Sequence, residues 1–261
     1  MQSVILREEY DEASRKEQLD TMKEQLYTIP VNDAFDADCE CPICAMYRSL
    51  EENAIEYTMG PSYMEDDNRA KTDEMGFCSH HIRSLYEQKN RLGLALILKT
   101  HSDKLIKDLK AASQQKPQSS AGLFKKAAAP SGVGAYVSKL NASCFICERI
   151  DNTFDRYINT LFHLWKKDPS FQTKVKQCKG FCVTHYALLY DMAPTMLKGT
   201  ELTSFYQVLD QAFFSNMQRV NDDLEWFINK YDYRYQDEPW KNAKDAIPRT
   251  IIKTNHQILN S

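Results

Sequence analysis

The chain has few of the residues that punctuate a β-rich protein. It contains 8 glycines and 9 prolines in 261 residues, too few for an all-β chain with many tight turns. It has no apolar run of membrane length: Leu92 to Leu98 is the best and falls well short of the ~20 residues a span needs. Met1 to Asp20 is charged throughout and has no apolar core, so no signal peptide is expected. There is no surplus of positive charge, since the formal net charge is -3. That argues against a nucleic-acid or anionic-membrane surface, which needs clustered Lys and Arg. Glycine-rich phosphate loops, Gly-x-Ser-x-Gly elbows and His-Glu-x-x-His motifs are all missing. No reaction can be read from the residues, and a non-enzymatic role is expected.

What the chain does have is cysteine. Eight are present. Without a signal peptide the expected compartment is the cytoplasm, where thiols stay reduced and paired cysteines bind metal more often than they form bridges. Cys41-Pro-Ile-Cys44 is followed by Gly76-Phe-Cys78-Ser-His-His81. Cys144-Phe-Ile-Cys147 is followed by Gly180-Phe-Cys182-Val-Thr-His185. Cys41 and Cys44 map onto Cys144 and Cys147 with an offset of 103, and Cys78 and His81 onto Cys182 and His185 with an offset of 104. Four ligand-type residues thus repeat with a single one-residue insertion. The same register sets other residues aside. His80 matches Thr184, Cys39 matches Ala142 and Cys178 matches Glu74.

Three thiolates and one imidazole form a tetrahedral set that suits Zn²⁺. A Cys-x-x-Cys at a helix start aims both sulfurs at one ion, and the helix N-terminus favours thiolate. Cys-x-x-His at the next helix start places its two side chains on one face. The glycine before each Phe-Cys permits a sharp turn into the ligand helix. The expectation is two structural zinc ions per chain. The first is held by Cys41, Cys44, Cys78 and His81, the second by Cys144, Cys147, Cys182 and His185, so that each half staples its own helical hairpin. An iron–sulfur cluster is the rival occupant, since Cys₃ plus His can hold one. A catalytic zinc is disfavoured because four protein ligands leave no position for water.

Periodicity predicts an all-α chain of two homologous halves. Residues 1–27 form an N-terminal helix, 28–112 the first metal-binding repeat, 113–134 a Pro/Ser/Gly linker, 135–231 the second repeat and 232–261 a C-terminal arm. Helices are expected from Pro42 to Met59, Met64 to Thr72, Ser79 to Ala112, over the Ile146–Trp165 stripe, Phe171 to Lys176, Val183 to Leu197, Glu201 to Tyr231 and Lys241 to Lys253. Tyr27 to Asp33 reads as extended, because Pro30 biases its predecessor away from helix. The aromatic, charged tail is expected to dock on the helical core.

The combination IPVNDAF, CPIC, GFCxxH, CFIC, GFCxxH and the tail DYR…EPW…KDA…PR resembles an uncharacterised bacterial family, a domain of unknown function, over about residues 28 to 250. The resemblance implies a compact bacterial cytosolic protein and no particular activity. The expected function is a zinc-binding scaffold or protein-interaction module with a protein partner. The alternative is an iron–sulfur electron carrier or a thiol-based redox sensor, and a hydrolase with an open metal site ranks last.

Overall fold

The computed structural model describes residues 26–114 and 131–258, and every regular element among them is helical. The expected helix over 1–27 lies almost wholly outside the described residues, as does most of the linker at 113–134. In chain order the elements are α1 (26–36), α2 (Pro42–Met59), a 3₁₀ turn (Pro61–Met64), α3 (Asp66–Met75), α4 (Ser79–Glu87) and α5 (Arg91–Ser113). Then come α6 (Gly132–Asn141), α7 (Phe145–Lys167), α8 (Pro169–Gln177), α9 (Val183–Met196) and α10 (Gly199–Asn229). A second 3₁₀ turn (Tyr233–Tyr235) and α11 (Ala246–Asn255) complete the chain.

Capping residues set several boundaries that periodicity alone misses. The single long helix expected from Ser79 to Ala112 is two. The Asn90 side chain accepts from Gly93 N–H at 2.9 Å and starts a new helix, while Gln88 is extended. Asp168 caps α8 through Ser170 N–H, with Pro169 in the first turn, where its missing donor costs nothing. Pro194 falls in the last turn of α9, two residues before its end. The extended reading of Tyr27 to Asp33 is overturned, since α1 runs through Pro30. Val31, Ala34 and Phe35 are buried on one stripe of it, and that burial outweighs the local bias before proline. α6 begins inside the stretch expected to be linker, with Ser131 accepting from Gly134 N–H.

The chain divides into two compact units, and these are not the two sequence halves. One comprises residues 1–48 and 154–261, the other the continuous segment 49–153. In the first, Val31, Phe35, Phe162, Trp165, Phe171, Phe181, Phe205 and Leu209 belong to a single buried cluster. Phe35 meets Phe171 edge-on at 4.9 Å, and Trp165 meets Phe205 at 5.1 Å. In the second unit the buried residues include Ile55, Met59, Leu85, Leu94, Ile97 and Ile146.

The tail docks, as expected. Trp226 donates its indole N–H to the Pro239 carbonyl at 3.0 Å, and Lys230 donates to the carbonyls of Tyr235 and Gln236 at 2.7 and 2.8 Å. α11 is anchored by Lys253, whose side chain is fully buried. Its amine donates to the carbonyl of Glu40 at 2.6 Å and to that of Lys179, and lies 3.4 Å from the Glu40 carboxylate. Three acceptors match the three donors of an ammonium. Glu40 also pairs with Arg219 at 2.6 Å. Substituting Lys253 by Ala strands two carbonyls and half of a buried ion pair, so a loss of about 3 kcal/mol is expected. Urea unfolding checks this, and an unchanged midpoint would show that α11 contributes no anchoring.

Candidate metal centres

Each ligand pair is positioned by a helix start. Cys41 immediately precedes α2 and Cys144 immediately precedes α7, and the carbonyls of both accept first-turn hydrogen bonds, from Ala45 N–H and Glu148 N–H. Cys78 is the N-cap of α4, its sulfur accepting from His81 N–H at 3.5 Å. Cys182 caps α9 through His185 N–H in the same way. Gly76 and Gly180 have φ of 60° and 78°. A side chain at Gly180 would place its Cβ 2.4 Å from the Ala212 carbonyl, so the turn into each ligand helix requires glycine.

The eight predicted residues converge in two groups of four, with a different pairing from the one expected. Cys41 and Cys44 join Cys182 and His185, while Cys78 and His81 join Cys144 and Cys147. The expectation that each half staples its own hairpin is therefore corrected. Each Cys-x-x-Cys meets the Cys-x-x-His of the other half. Every group nevertheless lies within a single compact unit, the first in 1–48/154–261 and the second in 49–153.

In the first group His185 Nδ1 lies 3.6, 3.3 and 3.2 Å from the sulfurs of Cys41, Cys44 and Cys182, and Cys44 Sγ lies 3.6 Å from Cys182 Sγ. In the second, His81 Nδ1 is 3.3 Å from each of Cys78, Cys144 and Cys147, and Cys78 Sγ is 4.0 Å from Cys147 Sγ. A tetrahedron with metal–sulfur bonds of about 2.3 Å and metal–nitrogen bonds of about 2.05 Å has edges of about 3.8 and 3.5 Å. The distances above lie within about 0.3 Å of those edges, and all pairs in each group lie within 4.8 Å. All eight cysteines are free of disulfides.

The electrostatics call for a cation. In each group one thiolate is favoured at its neighbours' expense. Hydrogen bonding from Cys41 and Cys44 holds Cys182 far below the usual thiol range, while burial pushes Cys41 up to about 12. Burial opposes ionisation of Cys144 too, but the His81 hydrogen bond prevails and brings it down to about 6. Three thiolates this close ionise together only around a positive ion.

Residues around the two groups differ at equivalent positions. His81 turns Nε2 to the Glu51 carboxylate at 3.1 Å, a contact that fixes the ring and leaves Nδ1 facing the three sulfurs. The register equates Glu51 with Phe154, whose ring lies 6.0 Å from that of His185. Phe145 N–H donates to the Gly76 carbonyl at 3.0 Å, tying the two ligand segments of the second group. Its equivalent is Pro42, which has no N–H. In the first group Lys253 does the tying, through the carbonyls of Glu40 and Lys179. Neither the Glu51 contact nor the role of Lys253 is visible from ligand spacing. The only sequence sign is the substitution of proline for a donor at position 42.

His80 is outside both cysteine groups and bonds Glu51 at 2.6 Å. Cys39 and Cys178 join neither group. Their sulfurs donate to the carbonyls of Ala34 and Val175 at 3.7 and 3.2 Å, and burial raises both thiols.

Fold and site together define an all-helical protein with two Cys₃His groups able to hold metal ions. The chain belongs to the family of unknown function DUF6062, which matches residues 22–261. No curated protein and no solved structure matches it.

Crossed pairing makes a specific prediction. Cys44→Ser combined with Cys182→Ser should remove one metal equivalent, because both residues serve one site. Cys44→Ser combined with Cys78→Ser should remove two. Elemental analysis distinguishes them, and the reverse pattern would restore the pairing within each half. Glu51→Gln should weaken the Cys78 site alone, by about 10-fold or more in competition with a chelator.

Proposed function

We propose that the protein is a zinc-binding helical scaffold, working as a protein-interaction module in a reducing, cytoplasmic setting. The observation that carries this reading is the match of both groups to the edges of a tetrahedron around a single ion. Zn²⁺ suits three thiolates and an imidazole, and the four residues close its shell without a position for water. The zinc would supply cross-linking energy and neutralise the thiolates, and the residues around it supply position. An iron–sulfur cluster distributes its ligands over several irons and calls for wider separations than these. The closed shells speak for architecture over hydrolysis. Among the described residues no helix is long and apolar enough to cross a membrane. Phe214 and Tyr190 are exposed beside the stacked Tyr190–Tyr206 and Tyr186–Phe213 rings, an aromatic face of the kind that protein partners cover.

Anaerobic purification followed by elemental analysis and an absorption spectrum tests the reading. Two zinc per chain and no visible absorption are expected, and a brown, iron-containing protein overturns it. Structural zinc contributes on the order of 10 kcal/mol in small peptides, comparable to a whole domain's stability of about 5–15 kcal/mol. A strong chelator should therefore abolish the cooperative thermal transition seen by circular dichroism. Retention of the full transition without metal would refute a structural role.

A further inference from the structure

The two groups differ in access. Cys41, Cys44, Cys182 and His185 are all buried, at 1, 5, 0 and 8% exposure. In the other group Cys144 and His81 are buried, but Cys78 and Cys147 are partly exposed. A groove of about 350 Å³ is lined by Gly76, Phe77, Cys78, Ser79, His101 and Leu140 among others. The two partly exposed cysteines are the pair whose sulfurs lie 4.0 Å apart.

They differ in charge as well. Beside the first group, Lys253 is buried against Glu40 and lies within electrostatic reach of Cys41, with Arg219 and Arg249 next to the same carboxylate. A bound Zn²⁺ with three thiolates carries net negative charge, and the Lys253 ammonium within reach of Cys41 offsets part of it, while Arg219 and Arg249 are paired with Glu40, Asp223 and Asp245. The second group has the Glu51 carboxylate against its histidine instead, which adds electron density to the metal and its thiolates. More negative thiolates are stronger nucleophiles.

Building on the zinc reading above, we propose that Cys78 and Cys147 are a peroxide-modification site, whose oxidation releases the metal from the second group while the first keeps its own. The Cys78 thiolate attacks one peroxide oxygen. The S–O bond forms as the O–O bond breaks, and hydroxide leaves with the electron pair, so Cys78 becomes a sulfenic acid. The Cys147 thiolate then attacks the Cys78 sulfur, forming the S–S bond and expelling a second hydroxide. Two thiolates have lost two electrons and one hydrogen peroxide has gained them. The zinc is unchanged in oxidation state, loses two of four ligands and dissociates.

The test uses the full chain carrying two zinc ions, treated with a several-fold excess of hydrogen peroxide over protein. Zinc release is followed with a chromogenic chelator, and the cysteines by peptide mass mapping. One zinc per chain should leave, with a Cys78–Cys147 disulfide, and the second should leave about tenfold more slowly or not at all. Simultaneous release of both ions overturns the proposal, as does first oxidation at Cys41, Cys44 or Cys182, or retention of both zincs. A two-zinc protein that fails in these ways leaves the scaffold reading standing. A protein purified without metal overturns that reading, and this inference with it.

Discussion

Three sulfurs and one imidazole nitrogen held within 4.8 Å of one another can all be deprotonated together only with a cation among them. Everything distinctive in this fold depends on satisfying that constraint twice. The ligand-bearing segments are all helix starts, where the backbone supplies partial positive charge and N–H donors to sulfur. Each Phe-Cys is preceded by a glycine at positive φ, where a side chain would be strained and would crowd His101 or the Ala212 carbonyl. Burial of six of the eight ligand side chains removes water as an alternative partner and makes the metal the natural source of compensation.

Crossed pairing gives the two sites different tasks. The unit formed by residues 49–153 is continuous, and its ligands His81 and Cys144 are 63 residues apart. The other unit is assembled from two chain segments separated by that insertion, and its ligands Cys44 and Cys182 are 138 residues apart. Closing the longer span costs more chain entropy. A metal held by Cys41 and Cys44 from the first segment and Cys182 and His185 from the second would offset that cost at the point where it arises. The same two segments are tied again by Lys253 and share one aromatic core with Phe35, Phe171 and Phe181. The site with the greater closure problem thus has the denser support.

The residues that cluster were legible in the sequence because a repeated register rejects accidents, which set aside His80, Cys39 and Cys178. The pairing was not legible. When two copies of a ligand set have equal spacing, pairing within halves and pairing across halves satisfy coordination equally, and only the packing of helices chooses. The fold class and most helix boundaries followed from periodicity. The exceptions had local physical causes. Asn90 offers a side-chain cap that splits a long apolar stripe. Pro30 is outvoted by burial of Val31, Ala34 and Phe35. Anchoring by Lys253 was hidden, since a lysine near the C-terminus gives no sign that its amine will find three buried acceptors.

Two copies of one motif need not be two copies of one site. At the position where the second group uses the Phe145 N–H to join its ligand segments, the first has Pro42, which cannot donate. That loss would leave the Gly180 turn less firmly held, and a buried ammonium from α11 makes the connection through the flanking carbonyls of Glu40 and Lys179. The replacement also brings positive charge to a cluster of thiolates. At the other non-equivalent position, Glu51 against Phe154, the difference runs the opposite way and brings negative charge to the second histidine. Two exchanges outside the ligand set therefore separate the sites in charge, and the burial of their sulfurs separates them in access. The two sets of three cysteines and one histidine are the same, so any difference in metal binding between the two groups must originate in those surroundings.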